Sequence, residues 1–277
     1  MSFVVEDVTA DNLGGLNVLL YGPFGGGKTV FGTSGGDHPK LKDTFVIDMD
    51  GGLKSVVHRP NMSRVVAKDS STVQEIFEAV IKKDPRFERF NTYMQDSLSA
   101  WVTKELRSIS ERNAGKTTQS VIRTVDTVQL QDYNEMTGKI SRITDNLRGM
   151  GKTLVMTAVQ RDYGLSEDST SGPILRRPEM PPRLYQNIGQ MMDMIWRVYQ
   201  QNGEVYLQTQ ELVSPRGDIV AAKTRNPKFA ARLMQESIKD KDGVPTGVIK
   251  IGKVGDTETK YPTLATVYDW YLEAIKD

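Results

Sequence analysis

The sequence predicts an α/β fold in which a mostly parallel central sheet is flanked by helices. Three observations carry that expectation. Short apolar runs alternate with stretches of helical periodicity from Leu16 onward, the pattern of repeated βαβ units. The first run, Leu16-Asn17-Val18-Leu19-Leu20-Tyr21, feeds directly into a glycine-rich loop. The second ends in the carboxylates Asp48 and Asp50, and open parallel sheets bind their ligands just beyond the carboxyl ends of their strands.

The elements follow in chain order. Strands are expected at 16–21, 44–48, 63–67, 91–95, 154–158 and 194–199. The helix after the glycine-rich loop is expected to be short, because Gly35-Gly36 stops it. Helix 72–82 is amphipathic, with Val73, Ile76, Phe77, Val80 and Ile81 on one face. Ser71 with Gln74 reads as its capping box. A second helix follows Asp96 and carries Leu98, Trp101, Val102, Leu106 and Ile109. A third carries Tyr133, Met136, Ile140, Ile143, Leu147 and Met150. Such stripes are core-facing surfaces. Residues 111–126, 161–183 and 224–246 read as loops, the last partly helical. A chain of 277 residues without an internal linker is expected to form one domain over 1–277, with a core at about 16–226 and a C-terminal extension at about 227–277.

The glycine-rich loop is Gly22-Pro23-Phe24-Gly25-Gly26-Gly27-Lys28-Thr29-Val30. It fits G-x-x-x-x-G-K-[ST], and it stands between a strand and a helix start, the context the motif requires. Glycines let successive backbone N–H groups turn inward on phosphate oxygens. Lys28 is expected to reach the β- and γ-phosphates, and the Thr29 hydroxyl to hold Mg²⁺. Two other Gly-Lys-Thr triplets, at 115–117 and 151–153, have Ser110 and Asn146 where the motif needs its first glycine.

Four further positions complete a candidate triphosphate site. Asp96 ends the strand 91–95 as a Walker-B-like carboxylate toward Mg²⁺; it also suits the N-cap of the next helix, and the two roles are compatible. Asp50 is the preferred base for an attacking water, with an Asp-Gly turn as the plain alternative. Alternation along a strand would turn Asp48 and Asp50 the same way. Gln160 closes the run 154–158 and opens a long loop, where an amide can sense the γ-phosphate; a solvated strand end is the alternative. Lys223 and Arg225, one residue apart on an extended segment, can clamp a neighbouring subunit's phosphates or simply face solvent.

Composition excludes other classes of chemistry. There is no cysteine, hence no disulfide and no thiolate metal site, which fits a reducing cytoplasm. The two histidines, His38 and His58, are not in a ligand-spaced cluster. The start Met1-Ser2-Phe3-Val4-Val5-Glu6-Asp7 lacks a basic segment and a long apolar core, so no signal peptide is expected. No apolar run nears membrane-spanning length, and no membrane partner is expected. The formal net charge of +1 confines any nucleic-acid contact to local basic loops.

The succession of P-loop, Asp48-Met49-Asp50-Gly51-Gly52, Asp96-Ser97 and a strand leading to Gln160 resembles the RecA-like ATPase core over residues 16–226. It looks most similar to small phage-encoded RecA-like proteins of the single-strand-annealing and recombination type. The resemblance implies ATP and Mg²⁺ as cofactors and a homo-oligomer, ring or filament, with ATP at subunit interfaces. It implies single-stranded DNA as partner, with a single-stranded-DNA-binding protein as a further one, in the host cytoplasm. It places a first DNA loop near 111–126, where Lys104, Arg107, Arg112, Lys116 and Arg123 are the cations. The second loop is 161–183, with Arg161, Arg176, Arg177 and Arg183 beside Tyr163 and Tyr185 as stacking groups. Gln160 resembles the glutamine linking ATP to that loop, and Lys223 with Arg225 resembles the K-x-R pair acting in trans. The family commonly has Glu where Asp50 stands. A helicase or helicase-loader motor and an ATP-dependent protein-interaction switch are the alternative functions.

Overall fold

A computed structural model describes residues 15–118, 121–122, 124, 127–164, 172–254 and 260–276. Its centre is a run of parallel strands: β1 (Asn17–Gly22), β2 (Thr44–Asp48), β3 (Met62–Val66), β4 (Thr92–Asp96), β7 (Thr153–Gly164) and β9 (Met194–Gln201). They lie in the order β3-β2-β4-β7-β1-β9. Beyond β9 the sheet continues antiparallel through β10 (Glu204–Gln208) and β14 (Val248–Lys253). The expected fold class is the one observed.

Strand alternation assigns the core to two layers. Leu19 and Tyr21 of β1 face one cluster, with Val73 and Phe77 of α2 (Ser70–Ile81), Trp101 of α3 (Leu98–Asn113) and Ile140 of α4 (Leu130–Arg148). Leu184 and Ile188 of α5 (Pro182–Met191) complete it. Val18 and Leu20 face the other cluster, with Phe31 of α1 (Lys28–Gly32), Phe229 of α6 (Pro227–Glu236) and Val267 of α7 (Leu264–Lys276). The C-terminal segment thus packs on one face of the sheet, beside α1 and residues Leu53 and Val56.

Three local expectations are corrected. The cap of helix α2 lies two residues before the proposed Ser71: Asp69 caps it, accepting from the Thr72 amide at 2.8 Å. Ser97, not Asp96, caps α3, accepting from the Ala100 amide at 3.2 Å. The stretch 161–183 is not a plain loop. β7 runs on past the sheet edge, and its residues 160–164 pair antiparallel with β8 (Ile174–Pro178). β8 in turn pairs with β12 (Ile219–Val220), and β12 with β11 (Leu212–Val213). The result is a ribbon rising from the carboxyl edge of the sheet. Within 111–126, the short pair β5 (Thr117–Thr118) and β6 (Val121–Ile122) follows α3. Within 224–246, α6 is helical and β13 (Lys223–Thr224) pairs with β9.

A buried polar cluster joins α2, α3 and α4. Glu105 is 1 % exposed. Its carboxylate accepts from Lys139 Nζ at 2.8 and 3.0 Å and from Ser70 Oγ, which itself accepts from Trp101 Nε1 at 3.0 Å. Removing one partner strands a buried charge. Lys139→Met is expected to cost about 3 kcal/mol in urea unfolding, with most of it recovered in the Glu105→Leu/Lys139→Met double variant. Equal stability of the single variant and the parent would refute this role for the pair.

Candidate nucleotide-binding site

β1 delivers the loop to the carboxyl edge, and close backbone approach explains its composition. A side chain at Gly22 would stand 1.8 Å from the carbonyl oxygen of Val198 on β9, a position no residue with a Cβ could take. Gly27 has φ 96° and forms the N-cap of α1, a left-handed conformation natural to glycine. The loop is tied internally by the Gly26 amide to Pro23 O at 3.1 Å. Gln200 Nε2 holds it from β9, donating to Gly25 O at 2.6 Å. No side chain caps α1, so its first amides keep no side-chain acceptor.

Lys28 folds back over this cradle and donates to Gly22 O at 3.0 Å and Pro23 O at 2.8 Å. Burial pulls its pKa below the usual lysine value, against the opposing charges of Asp96 and Asp50. Thr29 donates from Oγ1 to Asp96 Oδ2 at 2.8 Å. Asp96 is 4 % exposed, and Thr157 of β7 donates to its other oxygen at 2.5 Å. Burial raises the Asp96 pKa; the two hydroxyls lower it, and Asp50 and Asp48 raise it further.

Asp48 and Asp50 are split, contrary to the expected alternation. β2 ends at Asp48, and Gly51 at φ 71° turns the chain. Asp48 is fully buried beside Asp96 in the register of β2 and β4. Its Oδ1 accepts from the Gly51 amide at 2.7 Å, while Oδ2 has no hydrogen-bond partner among the described residues and faces Arg64 Nη1 at 3.8 Å. Asp50 is exposed, near enough to Lys28 and Asp96 to influence both. Lys104, counted among the loop cations, instead donates from α3 to Met49 O at 3.1 Å and Ala67 O at 3.2 Å, and braces the turn that carries Asp50.

Two residues of this site receive no role from the sequence alone. Thr157 is a lone hydroxyl in the run Leu154-Val155-Met156-Thr157-Ala158, and that interruption was its only signal. Asp48 stood beside the chosen base and was passed over, because which carboxylate is buried depends on where the strand ends.

Gln160 sits where β7 leaves the sheet for the ribbon. Its Oε1 accepts from Arg197 Nε at 2.7 Å, and its Nε2 donates to Asp162 at 2.9 Å. It is therefore not a bare solvated amide. Lys223 and Arg225 lie at the other edge of the sheet from their own P-loop. Thr224 pairs with Met194, which is level with Val18, the start of β1. Lys223 Nζ donates to Gly189 O and to Met192 O at 3.1 Å, and Arg225 pairs with Asp193 at 3.2 Å. Within one chain they serve the carboxyl end of α5, where cations suit unpaired carbonyls.

The loop cations do not form an open basic patch among the described residues. Arg112 pairs with Glu135 at 2.5 Å, Arg161 with Glu179 at 3.5 Å and Arg176 with Asp162 at 3.4 Å. Arg107 pairs with Glu111, and Arg183 donates to Asn134. Lys116 donates to Asn113 Oδ1 at 2.9 Å. Arg177 is buried, its guanidinium 4.3 Å from the Tyr163 ring centre and 4.9 Å from that of Tyr185. Those two rings are thus engaged with an arginine of their own chain. Arg123 lies outside the described residues.

The cradle, Lys28 and the Thr29–Asp96 contact define a P-loop nucleotide-binding domain. Residues 15–225 match the AAA domain family, and the chain belongs to it. In fold it is similar to the RadB recombinase, at 13 % identity over 75 % of this chain and 90 % of that one, with a TM-score of 0.40. It is also similar to the flagellar accessory protein FlaH from Methanocaldococcus jannaschii, at 12 % identity over 70 % and 76 %, with a TM-score of 0.33. No curated protein sequence matches the chain. Among the described residues, no helix is long and apolar enough to cross a membrane.

Proposed function

We propose that this protein is a Mg²⁺-dependent ATPase that acts as a RecA-like oligomer on single-stranded DNA, in recombination or annealing of the phage type. The observation that carries the ATPase reading is the meeting of Thr29 with Asp96 beside the Lys28 cradle. Two oxygen donors side by side suit a hard cation such as Mg²⁺. Asp48, in register with Asp96, adds a further carboxylate nearby, its Oδ2 facing Arg64 Nη1 at 3.8 Å. When bound, the metal would supply charge neutralisation on the phosphates.

The chain's own residues take distinct parts. The loop amides and Lys28 bind and orient the phosphates. Thr29 and Asp96 would hold the metal, with Thr157 fixing the Asp96 carboxyl. Asp50, exposed at the mouth, orients a water and accepts its proton. Gln160, bridged to Arg197, links the site to the β7–β8 ribbon. Lys223 and Arg225 would reach a neighbour's phosphates only by giving up their present partners.

The pairing of the loop cations favours a second reading, an ATP-dependent switch that binds protein partners. One experiment separates the two. Mg-ATP hydrolysis and single-stranded-DNA binding are measured together, with and without a non-hydrolysable ATP analogue, across salt. ATP-linked binding that weakens as salt rises is expected for the DNA reading. ATP turnover with no DNA binding under any condition would leave only the switch.

A further inference from the structure

A cleft of about 880 Å³ lies between α3, α4 and the segment that joins β8 to α5. α3 lines it with Ser99, Val102, Thr103 and Leu106. α4 lines it with Leu130, Tyr133, Asn134 and Thr137. Both sets fall at i, i+3, i+4 and i+7, one face of a helix over two turns, about 10 Å long. Met180, Pro181 and Pro182 make the third side. Two helix faces meeting beside an apolar wall form a groove of the kind that seats a third helix. Its rim is apolar as well: Leu130 is 76 % exposed, and Val128 and Tyr133 beside it are exposed too. Large apolar side chains clustered in water mark a contact surface.

The charges of the groove constrain what covers it. Arg161 and Arg183 stand in its wall against one acid, Glu179. Arg161 meets Glu179 at 3.5 Å. Arg183 donates to the neutral amide oxygen of Asn134 at 2.9 Å and has no acid partner among the described residues. A carboxylate brought by the occupant would complete it. Single-stranded DNA fits less well. One net cation is a weak footing for a phosphate backbone, and the Tyr163 ring already has the guanidinium of Arg161 at 5.5 Å and that of Arg177 at 4.3 Å. A second copy fits less well too. Each described helix from α2 to α7 turns its apolar stripe into one of the two core clusters, so none is free to lie in the groove.

We infer that this groove is the docking site of a partner protein, which lays in it an amphipathic helix with one apolar stripe and carboxylates alongside. The stripe fills the space between Leu106 and Leu130, and a flanking carboxylate meets Arg183. The groove lies on the α2–α5 side of the sheet, whereas α1 packs on the other. A docked helix therefore leaves the P-loop open, and docking needs no bound nucleotide.

The test uses a fluorescent synthetic peptide of about 16 residues, long enough for four helical turns, with leucine at i, i+3, i+4 and i+7 and glutamate on its flanks. Anisotropy is read with the full chain. One control peptide has the same composition scrambled, so that its leucines share no face; another has lysine in place of glutamate. The acidic amphipathic peptide is expected to bind at least tenfold more tightly than either control. Leu130→Ser and Thr103→Glu, both at exposed positions that the fold tolerates, are expected to weaken it about tenfold, with thermal melting unchanged. Arg183→Glu should reverse the preference between the acidic and lysine peptides. No binding of the acidic peptide up to about 1 mM overturns the inference. So does equal binding of the scrambled peptide, or parental affinity in Leu130→Ser and Thr103→Glu. If oligothymidylate binds and both substitutions weaken it as they weaken the peptide, the groove is a nucleic-acid seat and the inference falls.

Discussion

Lys28→Ala is expected to lower Mg-ATP affinity by about a hundredfold, the scale of losing a charge-assisted contact worth roughly 3 kcal/mol. The reason lies in where the ammonium sits. Burial already disfavours its charge, and two loop carbonyls hold it over the cradle at 3.0 and 2.8 Å. A phosphate offers the same group a full opposite charge in place of carbonyl dipoles. The loop's own geometry should survive, because Gly22 against Val198 and Gln200 against Gly25 do not depend on Lys28. Calorimetry and thermal melting without nucleotide check both halves. Parental ATP affinity in the variant would remove the P-loop from the binding site.

Asp50→Asn should spare binding and slow hydrolysis by about 10²- to 10⁴-fold, the span that general base catalysis covers. The carboxylate is exposed and lies on a turn that other residues hold. Asp48 receives the Gly51 amide, Asp96 O accepts from the Met49 amide, and Lys104 takes Met49 O. The amide variant is isosteric, so the turn keeps its shape while the proton acceptor is lost. Phosphate release under single-turnover conditions reads the effect. Turnover at the parental rate would transfer the role of base to another group.

Much of this architecture was legible in the residues. The six expected strands end within two residues of their predicted bounds, apart from β7, because apolar alternation against both helical layers leaves few other registers, whereas β10 and β14 are not among those expected. The P-loop was legible because every part of it lies within nine consecutive residues. The caps were less so. Asp69, Ser71 and Ser97 are all good N-cap residues, and the path of the chain out of β3 and β4 chose among them. The stretch 161–183 read as a loop because its polar composition hides strand character. Its two halves pair with each other, and the outer partner, β12 at 219–220, lies outside any local window.

The cations show the same division. Arg112 looks available because Glu135 stands 23 positions away in sequence, whereas Asp162 and Glu179 lie within 161–183 itself and dilute its charge, and only the folded chain decides that they pair with Arg176 and Arg161. Arg177 looked like its neighbour Arg176, yet a strand sends adjacent side chains to opposite faces, and one of the two is buried between aromatic rings.

Read alone, the order of residues was enough for the phosphate cradle and the alternation of strand and helix, since both are written in short-range spacing and local backbone preference. Only the folded chain decided that Thr29 meets Asp96, 67 positions on, that Asp48 is buried while Asp50 is exposed, and that faces of α3 and α4 wall one groove. Those outcomes depend on the order in which strands assemble in the sheet, and parallel neighbours are joined by crossovers too long for local chemistry to dictate.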